Sequence, residues 1–279
     1  MCIRDRYDID GLDDIHWQAV EGPWGKPSDE LLFGKLDDVN MVFLPRHGRG
    51  HVQTPSTINY RANIDAMKRA GVTDILSLSA CGSFNESLPP GTFVIIDQFI
   101  DRTFAREKSF FGAGMVGHVS MAHPVNSRLG DWCEKAAREV GVPVHRGGTY
   151  LCMEGPQFSS LAESSLYRQW GCDVIGMTNM PEAKLAREAE IPYCTVAMVT
   201  DYDCWHETTE SVTVEMVIAN LLKNVETSKA LLRNVIPSLP EERKCLCQSA
   251  LKDAIITPRE QISDERKKEL APITSKYLS

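Results

Sequence analysis

Short apolar runs bounded by turn residues recur along the 279-residue chain, and between them lie stretches whose apolar residues return every three or four positions. The runs predict buried strands over 41–44, 74–78, 93–97, 142–145, 149–153, 173–176 and 196–200. Tyr60, Ile64, Met67 and Ala70 mark one helix over 59–70, ended by Gly71; others are predicted over 128–140, 160–170 and 182–189. Thr213 is placed as the N-cap of a longer helix with an apolar face of Val214, Val217, Ile218, Leu221, Val225 and Leu232, stopped by Pro237. Residues 17–36 read as hairpin-like around the turn 22–27, and the charged segment 241–279 reads as a tail with a peripheral helix near 263–270. Alternation of strand and helix predicts an α/β fold, a three-layer single domain with a central mixed β-sheet flanked by helices.

Composition narrows the function. A net charge of -8 with scattered Lys and Arg excludes a nucleic-acid surface and leaves a small molecule held by a few local cations. No apolar run approaches the roughly 20 residues of a membrane-spanning helix. Nine cysteines, an odd number, lie mostly in apolar stretches (Cys81, Cys152, Cys172, Cys194) with no secretory signal before them, so a reduced, cytoplasmic protein is expected. The exception is Cys245-Leu246-Cys247, which reads either as a redox pair or as two incidental thiols.

Candidate chemistry clusters where strands end. The run 196–200 leads into Asp201 and Asp203, which on an extended chain point the same way. At the carboxyl end of a sheet strand, two acids suit a ligand with several donors; they also suit a helix cap or a cation. Arg46-His47-Gly48-Arg49-Gly50-His51 follows the strand 41–44 and combines close backbone approach with charge-assisted donors, so it is a candidate anion loop or a solvated basic turn. Ser79-Ala80-Cys81-Gly82-Ser83 reads as a turn with free backbone N–H groups, and 102–123 as a long aromatic and Gly-rich loop of the kind found at sites and interfaces. Phe158, after the turn at Gly155-Pro156, is a stacking platform for a flat ring or a core aromatic. A metal site of Asp201, Asp203, Cys204 and His206 matches no usual zinc spacing.

Several stretches together resemble one family: Pro45-Arg46-His47-Gly48-Arg49, Asn59-Tyr60-Arg61-Ala62-Asn63-Ile64, Ala80-Cys81-Gly82-Ser83, Glu154-Gly155-Pro156-Gln157-Phe158-Ser159, Gly176-Met177-Thr178 with Pro181-Glu182-Ala183, and Thr200-Asp201-Tyr202-Asp203-Cys204-Trp205. They are similar to the S-methyl-5'-thioadenosine phosphorylases within the trimeric purine nucleoside phosphorylase family, in order over about residues 7 to 240. The resemblance implies a nucleoside phosphorylase-like fold and phosphorolysis to adenine and 5-methylthioribose 1-phosphate, in purine and methionine salvage. Inorganic phosphate is then a co-substrate, with no cofactor and no metal. Carried over, Arg46, His47, Ser79, Ala80 and Thr178 bind phosphate, Met177 meets the ribose and Phe158 packs on the purine. Asp201 and Asp203 are catalytic and, with Tyr202, contact the base. Ser159 and Val214 set specificity, and His118 reaches the site of a neighbouring subunit, which implies a homotrimer. An Asp at 201 favours adenine over a 6-oxopurine, since family members that prefer 6-oxopurines carry an amide there.

The family also carries a first strand and a Gly-rich phosphate loop just before the position of Tyr7. Here residues 1–6 stand in that place as an atypical, truncated or foreign start, ahead of a phosphorylase domain over 7–240 and the tail over 241–279. Weaker phosphate binding and lower stability are expected from such a start. The alternatives are a phosphorylase of 5'-methylthioinosine or another purine nucleoside, and a nucleoside-binding protein without turnover.

Overall fold

Two sheets are built from the apolar runs. The computed structural model describes residues 9, 11–206, 214–239 and 245–278, without the side chains of 214–217 and 221. Strands β1 (Leu12–Gln18), β2 (Leu31–Leu36) and β3 (Val39–Phe43) form an antiparallel three-stranded sheet, so the hairpin expected over 17–36 is present as β1 and β2. Seven strands form the main sheet: β4 (Ile75–Ser83), β5 (Phe93–Ile95), β6 (Gln98–Arg102), β7 (Val144–Arg146), β8 (Thr149–Met153), β9 (Val174–Gly176) and β10 (Tyr193–Asp201). Their order is β6-β8-β9-β4-β10-β5-β7. β4 and β10 run parallel at the centre, while β5 against β10 and β9 against β4 are antiparallel, so the sheet is mixed.

Side-chain alternation along β10 shows why three layers form. Tyr193, Ala197 and Val199 enter one core with Ile64 and Met67 of α1 (Tyr60–Arg69) and Ala183 and Leu185 of α4 (Asn179–Glu188). Cys194, Val196 and Met198 enter the other, with Leu129 and Cys133 of α2 (Ser127–Val140) and Leu231 and Leu232 of α5 (Val214–Val235). Both faces are therefore covered, and each fully buried aliphatic side chain contributes about 1.5–3 kcal/mol. Local chemistry sets the helix starts: Asn59 and Asn126 accept the N–H of Ala62 and Leu129, and Ser160 with Glu163 forms a capping box for α3 (Leu161–Gln169).

Two expectations change, and the structure adds a strand and a disulfide to them. The stretch 79–83 is no turn: β4 continues through Ser83, because Gly82 pairs with both Asp201 and Ile175. The residues Gln98–Arg102, three of the five polar, form the edge strand β6 against β8. The C-terminal segment is more than peripheral, since Leu251 and Ile262 ahead of α6 (Asp264–Glu269), Leu270 just after it and Ile273 of α7 (Ala271–Leu278) join the larger core. Cys245 and Cys247 are joined as a disulfide, whereas Cys81, Cys133, Cys152, Cys172, Cys194 and Cys204 are free thiols. The start over 1–6, the Thr213 cap and the Val214 side chain lie outside the described residues. No helix among the described residues is long and apolar enough to cross a membrane.

Candidate active site

The carboxyl ends of β4 and β10 lie side by side, and the parallel register breaks there: Val199 pairs with Cys81, but Asp201 pairs with Gly82. Thr200 is the extra residue. Such a bulge re-aims the following side chain, and the Thr200 carbonyl, released from the ladder, accepts Asn220 Nδ2 of α5 at 2.6 Å. The Asp201 carboxylate then lies against Gly82, where a Cβ would come within 2.8 Å of Oδ1. Thr200 Oγ1 donates to Asp201 Oδ2 at 2.7 Å, with Cys81 O as a second acceptor at 3.1 Å.

Asp203 joins Asp201 by a turn, not by strand alternation. The strand ends at Asp201, Asp203 adopts a left-handed φ of 54°, and its N–H donates to Asp201 Oδ1 at 2.8 Å. Burial raises the pKa of both carboxyls; hydrogen bonds to Asp201 from Thr200 and the Asp203 N–H oppose the rise, and the Asp203 charge adds to it. Tyr202 points elsewhere, its ring stacked on His206 and its hydroxyl donating to Glu86 O at 3.3 Å.

Arg46 approaches from the loop after β3 and is 4 % exposed. Its Nε and Nη2 grip Glu182 at 2.6 and 2.8 Å, Nη2 also donates to Ser77 Oγ at 2.6 Å, and Nη1 donates to Thr178 Oγ1 at 3.2 Å. Burial opposes the charge on Glu182, but Arg46 and the hydroxyl of Tyr193, which donates to Oε1 at 2.9 Å, hold its pKa below the ordinary value. His47 Nδ1 lies 2.8 Å from Gln53 O. A carbonyl only accepts, so Nδ1 carries the hydrogen. Burial, with His51 and Arg46 beside the ring, lowers the His47 pKa to about 4, and the ring is neutral at pH 7. Ser79 Oγ lies 3.0 Å from Tyr150 Oη, and Tyr150 fits only because residue 176 is glycine: a Cβ there would fall 1.8 Å from that hydroxyl.

These groups open onto one cavity of about 460 Å³, a size that suits a small organic ligand. Arg46, His47, Ser79, Ala80 and Thr178 all belong to its lining, as do Asp201, Asp203, Met177 and Phe158. Phe158 lines the cavity and is 47 % exposed, so it is not a core aromatic. Ser159 and His118 are not in the lining. The Ser159 hydroxyl turns to Met153 Sδ at 3.8 Å, and the exposed His118 is held by its N–H to Ala254 O at 2.9 Å. Among the described residues, no group of three or more His, Cys, Asp or Glu is placed to hold a metal ion.

A family model described as the phosphorylase superfamily matches residues 10–237. A protein of Rhodospirillum rubrum named S-methyl-5'-thioadenosine phosphorylase is 60 % identical over 275 residues, 98 % of this chain and 94 % of that one. The chain belongs to the phosphorylase superfamily, among the S-methyl-5'-thioadenosine phosphorylases. The fold agrees. A methylthioadenosine phosphorylase from an Antarctic soil metagenomic library superposes with a TM-score of 0.92 at 45 % identity, over 96 % of this chain and 94 % of that one. A Schistosoma mansoni adenosine/methylthioadenosine phosphorylase variant in complex with methylthioadenosine gives 0.82 at 36 % identity, over 88 % and 92 %. What the sequence patterns did not assign is the supporting role of Thr200, Glu182, Gln53 and Ile218 around the cavity. A buried arginine calls for a counter-charge, but Glu182 is 136 residues from Arg46 and only folding brings it there.

Proposed function

We propose that the chain catalyses the phosphorolysis of S-methyl-5'-thioadenosine to adenine and 5-methylthioribose 1-phosphate. The observation that carries this is the opening of Arg46 and Asp201 onto one cavity, with apolar surface from Met177, Phe158 and Ile218 in the same lining. Phosphate binds at Arg46, the hydroxyls of Ser79 and Thr178 and the backbone of Ala80. His47, with Nδ1–H committed to Gln53, presents Nε2 as an acceptor for a protonated phosphate oxygen. Met177 meets the ribose, Phe158 covers the purine, and Ile218 on α5 borders the methylthio group. Ser159, outside the lining, acts on base choice only through its neighbours Phe158 and Met153.

A phosphate oxygen forms its bond to C1' as the C1'–N9 bond breaks and the bonding pair passes into the purine. Asp201 delivers its proton to N7, so adenine departs neutral; burial shifts its pKa upward, the direction that favours the protonated acid. Asp203 supports the exocyclic amino group. Phosphate is a co-substrate, and the reaction takes no cofactor. We further place the protein in the cytoplasm as a homotrimer, with His118 serving a neighbouring subunit and the products feeding purine and methionine salvage. Incubation with methylthioadenosine, with and without phosphate, tests the function by chromatography of free adenine. Adenine that appears only with phosphate is expected; none, or release indifferent to phosphate, would sink the proposal.

A further inference from the structure

Arg106 lies on the long loop after β6, outside the cavity lining, with 1 % of its side chain exposed. Its guanidinium reaches six acceptors. Nη1 donates to Met177 O at 2.7 Å, Met180 O at 2.6 Å and Tyr60 Oη at 3.1 Å. Nη2 donates to Glu154 O at 2.6 Å and Met153 O at 3.4 Å, and Nε to Glu154 Oε1 at 3.3 Å. The carbonyls of Met153 and Glu154 end β8, and those of Met177 and Met180 follow β9. Strand ends leave such carbonyls without ladder partners, and oxygens that converge in a buried space repel one another. A planar cation with five N–H groups in a fixed fork is the side chain able to join them.

The loop is itself fastened. Glu154 Oε2 accepts the N–H of Phe104 at 2.7 Å and of Ala105 at 3.3 Å, and Oε1 accepts the hydroxyl of Ser56. Tyr60 Oη donates onward to Pro55 O at 3.0 Å. Met153, Met177 and Pro55 all line the cavity, so one cation binds the first two walls directly and the third through Tyr60. Arg46 is held by Glu182, Ser77 and Thr178, and none of these side chains is among the six acceptors of Arg106.

We infer that Arg106 is a positioning residue: it sets the spacing between the wall leading to Phe158 and the wall carrying Met177, and so the pose of the nucleoside above the phosphate. The inference rests on the phosphorolysis reading of the cavity. Its test uses the full chain with Arg106→Ala and Arg106→Lys, measuring kcat/KM for methylthioadenosine, phosphate affinity by calorimetry, thermal unfolding, and rescue by added guanidinium. Nucleoside kcat/KM is expected to fall about 100-fold in both variants, since small misplacements of bound substrate act at that scale. Phosphate affinity should stay within about threefold. Free guanidinium should restore at least about tenfold of the Ala variant's loss, and methylammonium, which lacks the fork, should not. A folded variant within about threefold of wild-type kcat/KM, a parallel loss of phosphate affinity, or equal rescue by methylammonium would overturn it. Should Arg106→Ala fail to fold, Arg106→Lys, which keeps the buried charge, decides by the split between nucleoside and phosphate. Wild-type protein that releases no adenine with phosphate would instead refute the phosphorolysis reading.

Discussion

Replacing Asp201 with Asn separates the chemistry of this position from its structural role. The carboxylate oxygens accept Asp203 N–H at 2.8 Å and Thr200 Oγ1–H at 2.7 Å. In Asp201→Asn the amide oxygen keeps the Asp203 bond. The new NH₂ faces Thr200, whose hydroxyl can turn its hydrogen to Cys81 O, already 3.1 Å away, and accept from the amide. Both partners stay satisfied, so stability should change by less than about 1 kcal/mol. Catalysis should not be spared, because an amide donates a hydrogen bond to N7 but no proton. Loss of a positioned general acid lowers the rate by about 10²–10⁴, or about 3–5 kcal/mol of barrier. A hypoxanthine nucleoside, whose carbonyl oxygen suits the amide, should lose less. The assay compares kcat/KM for methylthioadenosine and methylthioinosine in both proteins, with urea unfolding as the control for folding. Equal activity on methylthioadenosine, or an unchanged preference between the bases, would remove Asp201 from the reaction.

Other groups give further expectations. Thr200→Val removes a donor to the ionised form of Asp201, so the Asp201 pKa should rise and the alkaline limb of kcat move to higher pH; a pH–rate profile that keeps its wild-type position would count against the proton-donor role. Glu182→Ala leaves Arg46 buried without its bidentate partner, and denaturant unfolding should show a loss of about 3–5 kcal/mol, with a loss under about 1 excluding Glu182 as its main counter-charge. Burial raises the Glu188 pKa from 4.5 to about 7 against hydrogen bonds from the Phe110 N–H and Ser109. The folded state therefore holds a proton that the unfolded chain has released, and this group's contribution falls as pH rises from about 4.5 to 7. Glu188→Gln should stabilise the protein by about 1–3 kcal/mol at pH 8 and by little at pH 4, read from unfolding curves at both pH values; a gain equal at both would show that ionisation is not the cause.

The sequence by itself determined the layer architecture and the places where chemistry occurs. Apolar runs alternating with helical spacing are local signals, and a run such as 196–200 ending in Asp201 marks a buried strand whose tip must meet solvent or ligand. The motifs around Arg46, Phe158, Met177 and Asp201 were legible because each keeps its residues within a few positions. Tertiary structure decided what depends on contacts between distant segments. Gly82 is a strand residue because two neighbouring strands claim it, which no local pattern in 79–83 reveals. Asp203 reaches the cavity through a left-handed turn, while Tyr202 stacks on His206 outside the lining. Glu182 beneath Arg46 and Arg106 behind Met177 lie 136 and 71 residues from the groups they hold. Local propensity acts over a few residues, whereas the partner of a buried charge is whatever the completed fold places within hydrogen-bond distance of it.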